Sequence, residues 1–174
     1  ERRSLFIQKV AEARAKYQPE FTCVACRDLG YVNPLKEDGK PDYSNVVPCR
    51  NCISPETLRQ FLGVSSLDAT FDNFKTEKGA ERSIAAAKAI AGLKTDWKLL
   101  LLSGRWGNGK THLLEAISLG LWGKGISARV ITFPDFVGSL KATFDKTKDK
   151  ESETYDEMIK SVSYRPYLLL DDVG

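Results

Sequence analysis

Long apolar runs are missing from this 174-residue sequence: none is longer than Leu99–Leu102, far short of the roughly 20 residues that cross a bilayer. No membrane-spanning helix is expected. A secretory leader is missing too. The opening Glu1-Arg2-Arg3-Ser4-Leu5-Phe6-Ile7-Gln8-Lys9-Val10 meets charge before an apolar core of about 7–15 residues accumulates, so the chain reads as cytoplasmic. An excess of one charge sign is also lacking. Residues 1–66 hold 10 basic and 8 acidic side chains and residues 67–174 hold 16 and 15, a net +3 that lacks the strong positive field of an obligate duplex binder. The sequence begins without Met and stops at Val173-Gly174, directly after an apolar run, so both ends are expected to continue in a longer protein.

What is present suits a folded chain. Apolar residues make up 42% and charged residues 28%, which excludes a disordered composition, and the length allows one α/β domain or a small module joined to a partial one. Residues 2–17 have a thin helical pattern. From Pro19 to Cys52 turn formers break the sequence into pieces too small for a core of their own, so this stretch needs a staple. Ser54 to Gly63 reads as a short helix with Ser54 as cap, Pro55 at its first position and Gly63 closing it, a bridge between two modules. Beyond it the expected order is a helix over about 77–93, a buried strand at 97–102, a helix from Lys110 to Gly123 and a strand at 128–133. A helix from Pro134 to about Phe144, a charged loop at 145–153, a helix near 154–162 and a strand at 166–170 complete it. Strand and helix alternate, which implies an α/β fold with a parallel sheet and flanking helices. The expected division is a module over 1–66 and a nucleotide-binding domain over 67–174.

The most specific signal is Gly104-Arg105-Trp106-Gly107-Asn108-Gly109-Lys110-Thr111, which fits G-x-x-x-x-G-K-[ST] (Walker A) after an apolar run and at the start of a helix. Glycines let successive backbone N–H groups converge on phosphate oxygens, and the helix N-terminus adds partial positive charge. Lys110 supplies a point charge for the β- and γ-phosphates, and the Thr111 hydroxyl is a hard oxygen donor for Mg²⁺. Downstream, Tyr167-Leu168-Leu169-Leu170-Asp171-Asp172 is an apolar strand ending in two carboxylates (Walker B): Asp171 on the Mg²⁺ side, Asp172 as general base for an attacking water. Together the two motifs predict binding of ATP with Mg²⁺. The candidate nucleotide set is Gly104, Gly107, Asn108, Gly109, Lys110, Thr111 and Asp171, together with His112, the lone histidine. For His112, packing is the commoner role, and its residue type alone assigns it no chemistry.

All four cysteines lie in two pairs, Cys23-Val24-Ala25-Cys26 and Cys49-Arg50-Asn51-Cys52, with 22 residues between them. Each two-residue gap lets two thiolates of one turn reach one ion, and two such turns fill a tetrahedral Zn²⁺ shell. A filled shell makes the metal structural. The spacing calls for a ribbon hairpin longer than usual, and Arg27 and Arg50 adjoin the ligands to offset the negative charge of four thiolates. Two disulfides, a redox C-x-x-C pair and an iron–sulfur cluster are the competing readings.

Residues 67–174 resemble the AAA+ domain of DnaC/DnaI-type helicase loaders and the related IstB transposition ATPases. The resemblance rests on Phe71-Asp72-Asn73-Phe74, on Leu102-Ser103-Gly104 through Lys110-Thr111-His112, and on Leu168-Leu169-Leu170-Asp171-Asp172-Val173-Gly174, with Asp-Asp where most AAA+ proteins have Asp-Glu. The zinc-ribbon-like module before it is similar to the N-terminal region of such loaders. The resemblance implies an ATPase that binds ATP, associates with its own copies on single-stranded DNA and delivers a replicative helicase. It also implies that the Phe71–Phe74 segment lies near the adenine. Further family elements are a sensor residue and an arginine supplied by a neighbouring subunit, both expected beyond residue 174. In the family a strand following the Asp-Asp strand separates it from the phosphate-loop strand, so the AAA+ domain is expected to be incomplete and to lack parts needed for turnover. The alternatives are an IstB-like ATPase acting on duplex DNA with a transposase, and a zinc and nucleotide adaptor that does not hydrolyse.

Overall fold

The computed structural model describes residues 21–36, 38–43, 46–75, 79–145, 155–163 and 165–173. The helix expected over 2–17 and nearly all of the charged loop at 145–153 lie outside them. The chain divides into two compact units between Ser54 and Pro55.

In the first unit, β1 (Tyr31–Val32) and β2 (Val47–Pro48) pair antiparallel, Tyr31 opposite Pro48 and Val32 opposite Val47, with a further bridge from Leu35 to Pro41. This is the ribbon hairpin that the cysteine spacing calls for. Two-residue strands hold no register by themselves. What they close around is a cluster of buried Cys23, Cys26 and Cys49 with Val32 against it, so sulfur takes the place of an aliphatic core.

The second unit opens with α1 (Pro55–Leu62), whose Glu56 accepts from Arg59 Nη2 at 2.9 Å and from Gln60 Nε2 at 2.8 Å. The sequence suggests a bridge here. Instead, Leu62 and Val64 are buried with Leu113, Ile117, Leu121, Ala128, Val130 and Leu169, so the helix belongs to the core of the second unit. Gly63 is what allows this. Its φ of +65° turns the chain, and a Cβ on it would stand 2.2 Å from the Val130 carbonyl oxygen. α2 (Glu81–Ala91) packs Ala87 and Ala91 toward α3 (Lys110–Gly123), where Gly120 leaves room for Ala91: a Cβ there would be 2.9 Å from the Ala91 Cβ.

β3 (Val130–Thr132) and β4 (Leu169–Asp171) form a parallel pair, Val130 opposite Leu169 and Thr132 opposite Asp171. α4 (Phe133–Asp145) and α5 (Tyr155–Ser163) lie between them in the chain. The fold is thus mixed α/β with a parallel sheet and flanking helices. One expectation fails. Residues 97–102 form no strand, and Leu99 and Leu101 are 82% and 75% exposed, whereas Leu100 and Leu102 pack on the core. Four consecutive leucines suggest burial on both faces, but alternate side chains of an extended segment point to opposite sides, and only one side here has a neighbour to pack against.

Candidate nucleotide site and metal centre

The phosphate loop is shaped by three glycines in the left-handed half of backbone space: Gly104 at φ +154°, Gly107 at +80° and Gly109 at +76°. Gly109 immediately precedes α3 and is its cap residue, so the first N–H groups of that helix open into the loop. Lys110 Nζ donates to the carbonyl oxygens of Gly104 at 3.1 Å and Arg105 at 3.0 Å, which holds the ammonium across the loop. The Thr111 hydroxyl donates to Asp171 Oδ2 at 2.6 Å, joining the first turn of α3 to the end of β4. Asp171 also accepts the Asp172 backbone N–H on Oδ1 at 3.1 Å. Asp172 itself sits at φ +54°, the left-handed region that a non-glycine residue occupies only at a cost of about 1–3 kcal/mol.

These residues share one open cavity of about 1210 Å³. Gly104, Gly107, Gly109, Lys110, Thr111, His112, Asp171 and Asp172 all line it, bringing together residues up to 68 positions apart in the chain. Asn108 does not. It faces a smaller recess of about 150 Å³ shared with Lys110 and Ser83. Trp106, at the loop's apex, is 98% exposed. His112, to which residue type alone gives no chemistry, has two partners: its Nε2 lies 2.8 Å from the Thr70 carbonyl oxygen, and Phe74 meets its ring edge-on, centroids 5.2 Å apart. Phe71 has a different setting, packed against the core with the Lys88 ammonium 6.0 Å from its ring centre.

One participant escapes sequence reading. Glu115, on α3, is buried and accepts the Ser65 backbone N–H on Oε1 at 2.6 Å, and it lines the same cavity. The available signal is that it is the single acid in the run Lys110–Gly123, and it is buried. A lone buried acid needs a donor.

The donor set at the mouth of this cavity suits Mg²⁺: the Thr111 hydroxyl and the Asp171 carboxylate are hard oxygens already within hydrogen-bond distance of one another.

The cysteine cluster suits a different ion. The four Sγ atoms all lie within 4.8 Å of one another, with Cys23 and Cys49 3.7 Å apart and Cys26 and Cys52 3.4 Å apart. A tetrahedron with Zn–S of about 2.3 Å has edges of about 3.8 Å. Asp28 closes the first knuckle by accepting the Cys23 and Thr22 N–H groups at 2.7 and 3.1 Å. The Gly30 N–H donates to Cys26 Sγ at 3.3 Å. Burial pushes the Cys26 thiol up, but the Gly30 N–H and the neighbouring thiols outweigh it and bring Cys26 down to about 7. The Cys26 and Cys23 hydrogen bonds and burial push Cys52 far above its ordinary value. The spacing of the four Sγ atoms is thus compatible with a zinc site.

Comparison with known proteins gives a consistent picture. The model of the bacterial DnaA ATPase domain matches residues 66–174. The chain is 28% identical over 143 residues to the replicative helicase loader DnaC of Buchnera aphidicola subsp. Schizaphis graminum, covering 80% of this chain and 57% of that protein. It is 36% identical over 77 residues to the replicative helicase loader DnaI of Bacillus subtilis, covering 44% of this chain and 23% of that protein. To the chromosomal replication initiator protein DnaA of Helicobacter hepaticus it is 32% identical over 105 residues, 60% of this chain and 22% of that protein. The chain spans a little over half the length of the DnaC proteins it matches. No solved structure matches it.

Proposed function

Because the chain belongs to the family of the bacterial DnaA ATPase domain, we propose that it is an ATP-using replication protein that delivers a replicative helicase to single-stranded DNA. One observation carries the ATP part of the reading: the Thr111 hydroxyl bonded to Asp171 at 2.6 Å, one residue from Lys110 and one from Asp172, at the mouth of a single cavity. Loop amides and Lys110 bind the phosphates. Thr111 and Asp171 hold Mg²⁺, which when bound offsets charge on the phosphate oxygens. Asp172, which lines the same cavity, accepts the proton of an attacking water.

The helicase part is supported by the loader names of the DnaC and DnaI relatives. In this reading Cys23, Cys26, Cys49 and Cys52 hold Zn²⁺ and so keep the first unit folded as the grip on the helicase. The second unit binds ATP, touches single-stranded DNA and associates with further copies. Capture of a purified replicative helicase by the immobilised full chain tests this. Capture that is lost when zinc is stripped and regained when it is restored is the expected result, and capture indifferent to zinc removes the first unit from that role.

A further inference from the structure

We propose that the cysteine cluster is a peroxide-reactive site in which Cys52 is oxidised first and Cys26 closes a disulfide onto it, so that the metal is released. The inference rests on the zinc reading above and gives the four ligands unequal roles.

Exposure sets the order. Cys23, Cys26 and Cys49 are 8%, 4% and 1% exposed, whereas Cys52 stands open to solvent. A dissolved oxidant therefore meets the Cys52 sulfur and is screened from the other three. Distance names the second participant. Cys26 Sγ lies 3.4 Å from Cys52 Sγ, nearer than the 3.7 Å between Cys23 and Cys49. A disulfide of about 2.05 Å asks that gap to close by only about 1.4 Å. The backbone keeps the two sulfurs opposed. The Cys49 N–H donates to the Gly30 carbonyl at 2.7 Å, and the Gly30 N–H donates to Cys26 Sγ at 3.3 Å. Tyr31 pairs with Pro48 directly beyond. These bonds link the two knuckles across the hairpin, so Cys26 faces Cys52 while the first oxidation proceeds.

With hydrogen peroxide as the oxidant the chemistry balances. A ligating cysteine is a thiolate, the form that reacts with peroxide. The Cys52 thiolate attacks one peroxide oxygen: an S–O bond forms, the O–O bond breaks and hydroxide leaves, which puts a sulfenic acid on Cys52. The Cys26 thiolate then attacks the Cys52 sulfur: an S–S bond forms, the S–O bond breaks and a second hydroxide leaves. The two sulfurs together lose two electrons and the peroxide gains them. Cys23 and Cys49 alone remain, half of a tetrahedral shell, and cannot retain Zn²⁺. A dithiol reductant returns both thiols and with them the site.

The test treats the zinc-loaded full chain with hydrogen peroxide. Bound zinc is measured beforehand, its release is followed with a chromogenic chelator, and cysteine states are mapped by peptide mass spectrometry with and without dimedone, which traps sulfenic acids. The expected result is dimedone on Cys52, stoichiometric zinc release and a Cys26–Cys52 disulfide that dithiothreitol reverses. Cys52→His keeps a closed shell of three sulfurs and one imidazole, so it should still bind zinc yet release it to peroxide at least about tenfold more slowly. Cys23→His makes the same change at a buried ligand and should release zinc at close to the wild-type rate. Should Cys52→His fail to hold zinc, the dimedone and disulfide maps of the wild-type chain decide alone. Zinc that stays bound under peroxide, dimedone on a buried cysteine in place of Cys52, a Cys23–Cys26 or Cys49–Cys52 disulfide, or a zinc-bound Cys52→His as labile as wild type would each overturn the proposal. Wild-type chain that takes up no zinc overturns the zinc reading and this inference with it.

Discussion

Asp172 and Gly63 show how differently a positive φ is used at single residues. At Gly63 the conformation serves packing: the chain turns at φ +65° with the Val130 carbonyl where a methyl group would go. Gly63→Ala is expected to cost about 2–4 kcal/mol, combining left-handed strain with displacement of backbone, and to lower the thermal midpoint accordingly. A midpoint unchanged from wild type would mean that α1 does not dock on β3 as described. At Asp172 it falls on the residue proposed as the general base. Asn tolerates left-handed backbone as well as Asp does, so Asp172→Asn keeps the turn and removes only the proton acceptor. ATP turnover by the full protein should fall by about 10²–10⁴-fold with nucleotide affinity retained, as measured by phosphate release and equilibrium binding. Turnover left intact would assign the base to another residue.

At the scale of elements, legibility in the sequence follows local punctuation. α3 has the bounds read from the sequence, Lys110 to Gly123, because Gly109 caps its start and glycines crowd its end. The hairpin of the first unit is implied by the cysteine spacing, and the cluster brings Cys23, Cys26, Cys49 and Cys52 within 4.8 Å as that spacing requires. The missing strand and the seat of the first helix on the second unit share a cause. Residues 97–102 and helix Pro55–Leu62 both depend on what lies beside them, and apolar pattern alone does not name a neighbour. The same holds within the site. Lys110, Thr111, Asp171 and Asp172 stand out in the sequence through two local motifs, and the structure brings them to one cavity. The bonds from Glu115 to Ser65 and from His112 to Thr70 span 50 and 42 positions and leave no local motif. The β1–β2 hairpin has sulfur for a core, and on the zinc reading it needs the metal to hold. Stripping zinc, or Cys49→Ser, should abolish amide-exchange protection across residues 30–49, while Leu113, Ile117 and Leu121 in the second unit keep theirs. Protection that survives in the hairpin would show that it does not need the metal.

At the scale of the whole molecule, the two units have unlike sources of stability. The first closes around a cysteine cluster and the second around an aliphatic core built on α3, so stripping the proposed zinc should leave the second unit folded. Among the described residues no helix is long and apolar enough to cross a membrane. In the second unit Lys110, Thr111, Asp171 and Asp172 meet at one cavity. The most direct measurement is a structure of the full protein with a non-hydrolysable ATP analogue and Mn²⁺ in place of Mg²⁺, with the metal located by its anomalous scattering. The account predicts β- and γ-phosphates against the Lys110 ammonium and an anomalous peak at the Thr111 and Asp171 oxygens. Analogue or metal bound elsewhere, with this cavity empty at saturating ligand, would contradict it.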